Sequence, residues 1–545
     1  MKLYLRFTII LFFASSYSQS ILPDKFELDE DSILTKTFSL GLKSNSISEI
    51  VFQGDSKVWF GTGRGISYLV DSASIYTLDT LLLNTGNTYL MYDGISGIAN
   101  FNDHIMFAGA SGDELGDFGT GIFYNDGSGE WVHHAQPTEY SEESSILQPI
   151  GNGYFEMLPI TTHYSNISYD LSVTQDYAWI TSWAGGLRRI ELDSLRNDNA
   201  QWFPIPLPED DQLNLFTCDE NIFDDSLNVI TGYFLNPRDP FDGGNHNHKA
   251  FSVISYSDTV WVGTANGINR GILGENGCID WNHYSFHHHN LSGNFVVGLA
   301  YQNWNNHRII WAASMNANNP GEQRGVSYTI DDGENWQTTL IGERVYNISA
   351  MDSLVLVSSE SGLWKTIIHY PNDPLVWAKY EPMVEQTEFY NLEILSNGVF
   401  TAVADNRPYL QKMTLWVGTS DGLAKLNSQD GMNWKIYRTA LEQNSVFAYP
   451  NPFSPSVDNV VNGDGYVRFS TGSQIIEKAN MFIYSFAMEE VLSKSFDVNI
   501  NTGELKWNGK DNLGKSVSNG VYFVNLELSG GGKWSEHWMK VIVVQ

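Results

Sequence analysis

Val58-Trp59-Phe60-Gly61-Thr62, followed two residues later by Gly65-Ile66, is the stretch whose wording decides the fold. An aromatic and apolar run ends in small residues, a turn intervenes, and glycine plus a branched aliphatic opens the next run. That is a β-hairpin. Aromatic and β-branched residues suit a pleated, half-buried strand, and a two-residue turn needs a residue that accepts positive φ. The phrase returns as Val260-Trp261-Val262-Gly263-Thr264 with Gly267-Ile268, and as Leu415-Trp416-Val417-Gly418-Thr419 with Gly422-Leu423. Looser copies are Ala178-Trp179-Ile180-Thr181 with Gly186-Leu187, and Leu354-Val355-Leu356-Val357 with Gly362-Leu363. Two more carry longer inserts: Ile105 to Gly109 reaches Gly121-Ile122, and Ile309 to Ala312 reaches Gly325-Val326. The sequence therefore holds seven copies.

Each copy extends into four short strands. A strand precedes it, as at 48–52 and 251–256, and an aromatic strand follows, as at Trp131-Val132, Trp202-Phe203 and 434–437. Four strands per unit, repeated, predict an all-β chain folded as a seven-bladed β-propeller over residues 31–445. An eighth blade around 227–234 is the alternative count. The units average about 59 residues, above the ~40–50 of compact blades, so the excess goes into loops. Residues 35–40 read as a strand that completes the last blade and closes the ring, removing two open sheet edges.

The 545 residues carry 63 Asp and Glu against 31 Lys and Arg, a formal net charge of −32. Such a surplus repels phosphate backbones and anionic head groups, which excludes nucleic acid as a partner. Lys2 and Arg6, the apolar run 7–14 and the small residues 15–18 read as a signal peptide cut after Ser18. Its apolar core is far short of the ~20 residues of a spanning helix, so no transmembrane segment is expected. Residues 19–30 form an N-terminal lead. Cys218 and Cys278 are free to oxidise after export, but their spacing does not say whether they pair.

The Trp-x-Gly-Thr-x-x-Gly-Ile/Leu wording, with inter-blade phrases such as Gly41-Leu42-Lys43-Ser44-Asn45, resembles the two-component-regulator propeller repeat. That resemblance implies a periplasmic or surface ligand-binding module. Thr329-Ile330-Asp331-Asp332-Gly333-Glu334-Asn335-Trp336 resembles the Asp-box of sialidases and related propellers, with 427–434 a degraded copy. Thr329, Asp331, Gly333 and Trp336 are its structural positions, a tight hairpin between third and fourth strands. In a four-strand blade the second-to-third loop and the inter-blade link leave from one face. The loops 110–120 and 314–324, the links 137–165 and 208–249, and His287-His288-His289 therefore decorate one rim. Asp113, Glu114, Asp117, Phe118, Asn316, Asn318 and Glu322 are the candidate ligand-binding residues, since loops on a rigid scaffold carry function. His246, His248 and His287–His289 lie on the same rim without metal-ligand spacing and read as solvated loop residues. No cofactor is expected; Ca²⁺ is the one ion left open.

Tyr449-Pro450-Asn451-Pro452-Phe453-Ser454-Pro455 breaks the repeat and marks a domain boundary. Alternating strands over 446–545 predict a small β-sandwich. This stretch resembles the Ig-like domain of flagellar hook-cap proteins and the C-terminal sorting domain of type IX secretion cargo in Bacteroidetes-like bacteria. Pro450, Asn451, Pro452, Trp507, Gly509, Asp511, Gly520 and Tyr522 carry the resemblance, and Met488 departs from it where the family has Gly. It implies a partner in the secretion machinery and a place outside the outer membrane of a Gram-negative cell, secreted or surface-held. Taken together, the sequence points to a monomeric, non-catalytic binding or scaffold protein with a glycan or protein ligand on the rim. The alternative is a glycoside hydrolase or polysaccharide lyase with its site on the loop-rich face; no catalytic motif singles out residues for it.

Overall fold

The computed structural model describes residues 41–544 apart from 71–73, 142, 198–199, 225, 318, 371–372, 381–383, 387–390, 395, 409, 411–412, 427–433, 439–445, 450, 452, 456–464, 471–476, 498–504 and 531–532. The signal peptide, the N-terminal lead, the strand expected at 35–40 and most of the degraded Asp-box copy lie outside the described residues.

Among the described residues, seven antiparallel four-strand units follow one another along the chain. Their first strands are Ile47–Gln53, Gly94–Phe101, Ser168–Val173, Ala250–Tyr256, Phe295–Trp304, Val345–Met351 and Val399–Asp405. Each lies against the first strand of the next unit, and Ile47–Gln53 lies against Val399–Asp405, so the units close into a ring. The chain is an all-β propeller, with the first strand of each blade lining the axis. The repeated phrase supplies the second and third strands, such as Lys57–Thr62 and Gly65–Val70, joined with Thr62 opposite Gly65.

Every first strand is bulged at the same place. The register slips between Ile47/Glu49, Ile95/Gly97, Ser168/Asp170, Ala250/Ser252, Val296/Gly298, Val345/Asn347 and Val399/Thr401. A bulge re-aims one side chain and adds twist, and here the extra residue reaches the neighbouring blade. Ser48 Oγ donates to Ile95 O at 2.6 Å and Ser96 Oγ to Ser168 O at 2.6 Å. Further round, Tyr169 packs on Phe251 and Tyr346 on Phe400. The tryptophans act likewise. Trp59 Nε1 donates to Gln53, whose amide donates to Asp103 O in the second blade; Trp311, Gln302 and Asp352 repeat the arrangement between the fifth and sixth.

The ring is closed by packing of the first blade on the seventh. Phe60 and Trp416 meet at 5.3 Å between centroids, and the Arg407 guanidinium lies 5.2 Å from the Phe52 ring centre. Gly422 N donates to Asn45 O at 2.7 Å, the same bond that Gly267 N makes to Asn294 O between the fourth and fifth blades. The four described strands of the seventh blade all come from residues 399–437, so the last blade has a full set without residues 35–40.

The links 137–165 and 208–249, expected as loops, contain strands. Ile146–Ile150 and Gly153–Met157 pair as a hairpin, and Val229–Leu235 adds in parallel. The segment of the alternative eighth blade therefore belongs to this side sheet, whose Phe155, Met157 and Leu235 share a core with Trp179 and Trp281 of the third and fourth blades. Asn214–Phe216 adds a fifth strand outside Ile279–Tyr284 of the fourth blade, and Cys218 and Cys278 form a disulfide beside it.

Residues 446–544 fold as two sheets. Phe447–Tyr449, Val467–Ser470 and Lys506–Trp507 form one, and Glu490–Asp497, Lys478–Tyr484, Gly520–Gly530 and Lys533–Val543 the other. Phe469, Met481, Ile483, Trp507, Val524 and Leu526 fill the space between them.

Candidate functional site

On the expected rim, the stretch 110–120 is mostly ladder rather than loop. Strands His104–Asp113 and Gly116–Asn125 pair until Asp113 faces Gly116, leaving only Glu114 and Leu115 at the tip. The glycines at 112, 116, 119 and 121 let the ribbon continue past a bulge at Gly109/Ala110. Its flank is held by the inter-blade link: Ser165 N donates to Asp117 O at 3.0 Å, Tyr164 OH donates to Asp113 Oδ2 at 3.1 Å, and Phe118 bridges to Tyr164. Phe118 packs edge-on against Tyr164 at 6.1 Å.

Under this ribbon lies a pocket of about 430 Å³ lined by Tyr92, Asp93, Ser111, Asp113, Glu114 and Asp117, among others. Three sequence-expected carboxylates thus meet on one opening, joined by Asp93, which the repeat pattern did not flag. The signal available for Asp93 was positional, since it ends an inter-blade link one residue before a first strand. Tyr89 OH donates to Asp93 Oδ2 at 2.7 Å, and burial together with that carboxylate pushes the Tyr89 phenol well above its ordinary range. The opening offers acceptors, small backbone surfaces and one aromatic ring, Tyr92.

The second expected loop is used differently. Asn316 is exposed, Asn318 lies outside the described residues, and Glu322 is 8 % exposed. The Glu322 carboxylate accepts from Asn294 N at 3.2 Å and Ala317 N at 2.5 Å, and from the Asn294 amide at 3.3 Å. It ties the loop to the link ahead of the fifth blade, with the third and fourth blades between it and the acidic pocket of the second. The rim histidines are also dispersed. His246 faces Asp210, His287 meets Asn319, and His248, expected to be solvated, is buried against Ala184 O at 3.1 Å. Among the described residues no three His, Cys, Asp or Glu converge as metal ligands.

The opposite face holds a cleft of about 900 Å³ at the first-to-second strand turns of the second, third and fourth blades. Phe101, Tyr177 and Tyr256 line it beside Asp176, Glu191, Asp193 and Asp258. Val173 and Ser255 line both this cleft and an axial cavity of about 370 Å³ faced by all seven first strands. The sequence does not expose this cleft, because its walls come from separate turns that share no motif.

The turn at 329–336 lies on that same opposite face. Thr329 Oγ1 donates to Asp331 Oδ1 at 2.8 Å and accepts from Gly333 N at 3.0 Å; Asp331 accepts from Asn335 N at 2.9 Å. Burial opposes the charged Asp331 carboxyl, but these hydrogen bonds prevail and hold it below its usual value. Gly333 has φ +97°, and Trp336 packs against Trp261 and Tyr284.

In the C-terminal sandwich, the Asn451 amide donates to Lys540 O at 2.7 Å and its oxygen accepts from Ile542 N at 2.8 Å, fixing the segment to the last strand. Trp507 Nε1 donates to Lys510 O, Asp511 accepts from the amides of Leu513 and Lys515, and Tyr522 OH donates to Ser518 O. Gly509 and Gly520 both have positive φ. Pro450 and Pro452 lie outside the described residues.

No family model matches the sequence, and no curated protein matches it. Similar solved structures are propellers. One is PorZ, described as an essential bacterial surface component of the type IX secretion system of Porphyromonas gingivalis: 13 % identity, 92 % of this chain, 66 % of that one, TM-score 0.37. Another is an ancestral GH74 enzyme, with 13 % identity, 94 % and 64 % coverage and TM-score 0.44. The WD40 propeller domain of Doa1 shares 12 % identity over 73 % of this chain and 98 % of its own, with TM-score 0.38. The chain spans less than two thirds of the length of the first two. At these identities the likeness concerns fold alone.

Proposed function

We propose that this chain is an exported binding or scaffold protein. In this reading a closed propeller presents a ligand pocket on its rim, and residues 446–545 serve as a sorting module read by type IX-like secretion machinery. The mature chain then resides outside the outer membrane of a Gram-negative, Bacteroidetes-like cell, as a monomer. The observation that carries the binding role is the rim pocket, where Asp93, Asp113, Glu114 and Asp117 share one opening on a ring-braced ribbon. Acceptor groups of this kind suit a glycan's hydroxyls or a peptide's amides and cations. The mature chain is expected to register a ligand in a combined glycan, peptide and Ca²⁺ screen, and the triple replacement of Asp113, Glu114 and Asp117 by Ala to lose it. A ligand held unchanged by the triple variant overturns the pocket assignment. Deleting 446–545 is expected to abolish surface export; undiminished export overturns the sorting role.

A second reading, a carbohydrate-active enzyme, is favoured by the opposite-face cleft, whose four carboxylates and three aromatic rings match the residue types that glycosidases use. Release of reducing ends from polysaccharides by the mature chain, lost in Asp176→Asn or Asp258→Asn, supports it. Failure to cleave any of a broad substrate set removes it.

A further inference from the structure

The outer face of the larger C-terminal sheet carries a set of rings that neither the sorting role nor the sandwich core uses. Alternation along Lys478–Tyr484, Gly520–Gly530 and Lys533–Val543 sends Met481, Ile483, Val524, Leu526 and Val541 into the core. Phe482, Tyr484, Phe523, Trp534 and Trp538 therefore point the other way. Register places Phe482, Asn525 and Trp538 in one cross-strand row, with Tyr484 and Phe523 in the next. Tyr484 stacks on Trp538 at 5.7 Å and 26°, and Phe486 on Phe523 at 6.2 Å and 28°. Within each pair the two rings are thus close to parallel. Phe486 is 77 % and Trp538 51 % exposed.

A polar row runs beside the rings. Ser495 Oγ donates to Asn480 Oδ1, the Asn480 amide donates to Glu527, and the Asn525 amide and Trp538 Nε1 both donate to Glu536 Oε1, at 2.9 and 2.7 Å. Asn525 is 6 % exposed, and its Oδ1 has no hydrogen-bond partner. A buried carbonyl left without a donor costs free energy that a ligand hydroxyl recovers. Charge narrows the occupant further. The module 446–545 is nearly balanced, with 8 Lys and Arg against 10 Asp and Glu, in a chain whose net charge is −32. On the face itself the outward positions of these three strands hold Lys478 and Lys540 against Glu527 and Glu536, a balance that selects neither a polyanion nor a polycation.

We infer that this face is a binding site for a neutral polysaccharide, with sugar rings laid on Trp538–Tyr484 and Phe486–Phe523 and hydroxyls bonded to Asn525, Glu527 and Glu536. Flat apolar faces suit aromatic rings, and the alternation of hydroxyls along a sugar chain suits the adjacent polar row. The site is separate from the propeller pocket.

Affinity electrophoresis of the mature chain in native gels containing hydroxyethylcellulose, xylan, galactomannan or laminarin tests it. Retardation is expected in at least one gel, at least tenfold weaker for Trp538→Ala, largely kept by Trp538→Phe, and unchanged by Phe241→Ala, an exposed ring on the propeller. Wild-type migration unaffected by all four polymers overturns the inference, as does retardation that survives Trp538→Ala. If Trp538→Ala abolishes the module's own melting transition, Tyr484→Ala and Phe486→Ala decide in its place. Retardation undiminished in both folded variants overturns the inference. So does concentration-dependent dimerisation lost in Trp538→Ala without any polysaccharide binding, which assigns the face to a contact between copies.

Discussion

His248 occupies space that exists because Gly186 has no side chain: a Cβ there would stand 2.3 Å from His248 Cε1. Burial first, then the neighbouring Lys249 and Arg188 cations, push the imidazole down to about 3. In the unfolded chain the same group titrates near 6.5. Between those values the unfolded state binds the extra proton, so the stability this group supplies at neutral pH is lost as pH falls below about 6.5. Urea midpoints measured from pH 7 to 4 are expected to decline, and His248→Gln to flatten that decline. Gly186→Ala, at φ +62°, is expected to cost about 2–4 kcal/mol through strain and the clash. Met488 is the converse case. The sequence marks it as a departure from glycine, and it sits at φ +61° in an exposed turn closed by Met488 N donating to Ser485 O. Met488→Gly is expected to stabilise the sandwich by about 0.5–1 kcal/mol in thermal unfolding. At this scale the sequence was legible where a backbone rule applies. It misplaced His248 as a solvated loop residue and passed over Asp93, because the surroundings of both depend on what another part of the ring places beside them.

At the scale of single elements, the hairpins were legible because each encloses its own partner within a few residues. The side sheet was not, since Gly153–Met157 pairs in parallel with Val229–Leu235, far along the chain and without a repeated phrase. The ribbon at 110–120 was read as a loop because its glycines and acids resemble turn residues, whereas continued pairing satisfies their backbone groups. The Cys218–Cys278 bridge, which the spacing left open, pins the inserted segment to the fourth blade across a separation of 60 residues. Cys218→Ser with Cys278→Ser is expected to lower stability by about 2–4 kcal/mol in denaturant unfolding, with the propeller still folded. Thr329→Ala removes three of the hydrogen bonds that set the 329–336 turn and is expected to cost about 1–2 kcal/mol without altering ligand binding on the rim.

For the whole molecule, the decisive feature is that the first blade meets the seventh as other neighbours meet each other. Trp416 is fully buried against Phe60, its indole N–H held by Asp405. Trp416→Ala is expected to cost about 3–5 kcal/mol, and the propeller to melt as a unit at lower temperature rather than lose one blade. Ring closure was legible in outline, because sevenfold repetition of a four-strand unit leaves two open edges unless the ends meet. The manner of closure was not, since the strand expected to be borrowed from 35–40 lies outside the described residues while the last blade has four strands of its own. The bond that reports on the seam is Gly422 N to Asn45 O, matched at an interior seam by Gly267 N to Asn294 O. Amide hydrogen exchange of the mature chain reads both. A closed ring is expected to protect the Gly422 amide to within about tenfold of Gly267. Exchange of Gly422 at the rate of an open amide, with Gly267 still protected, would contradict the closed ring.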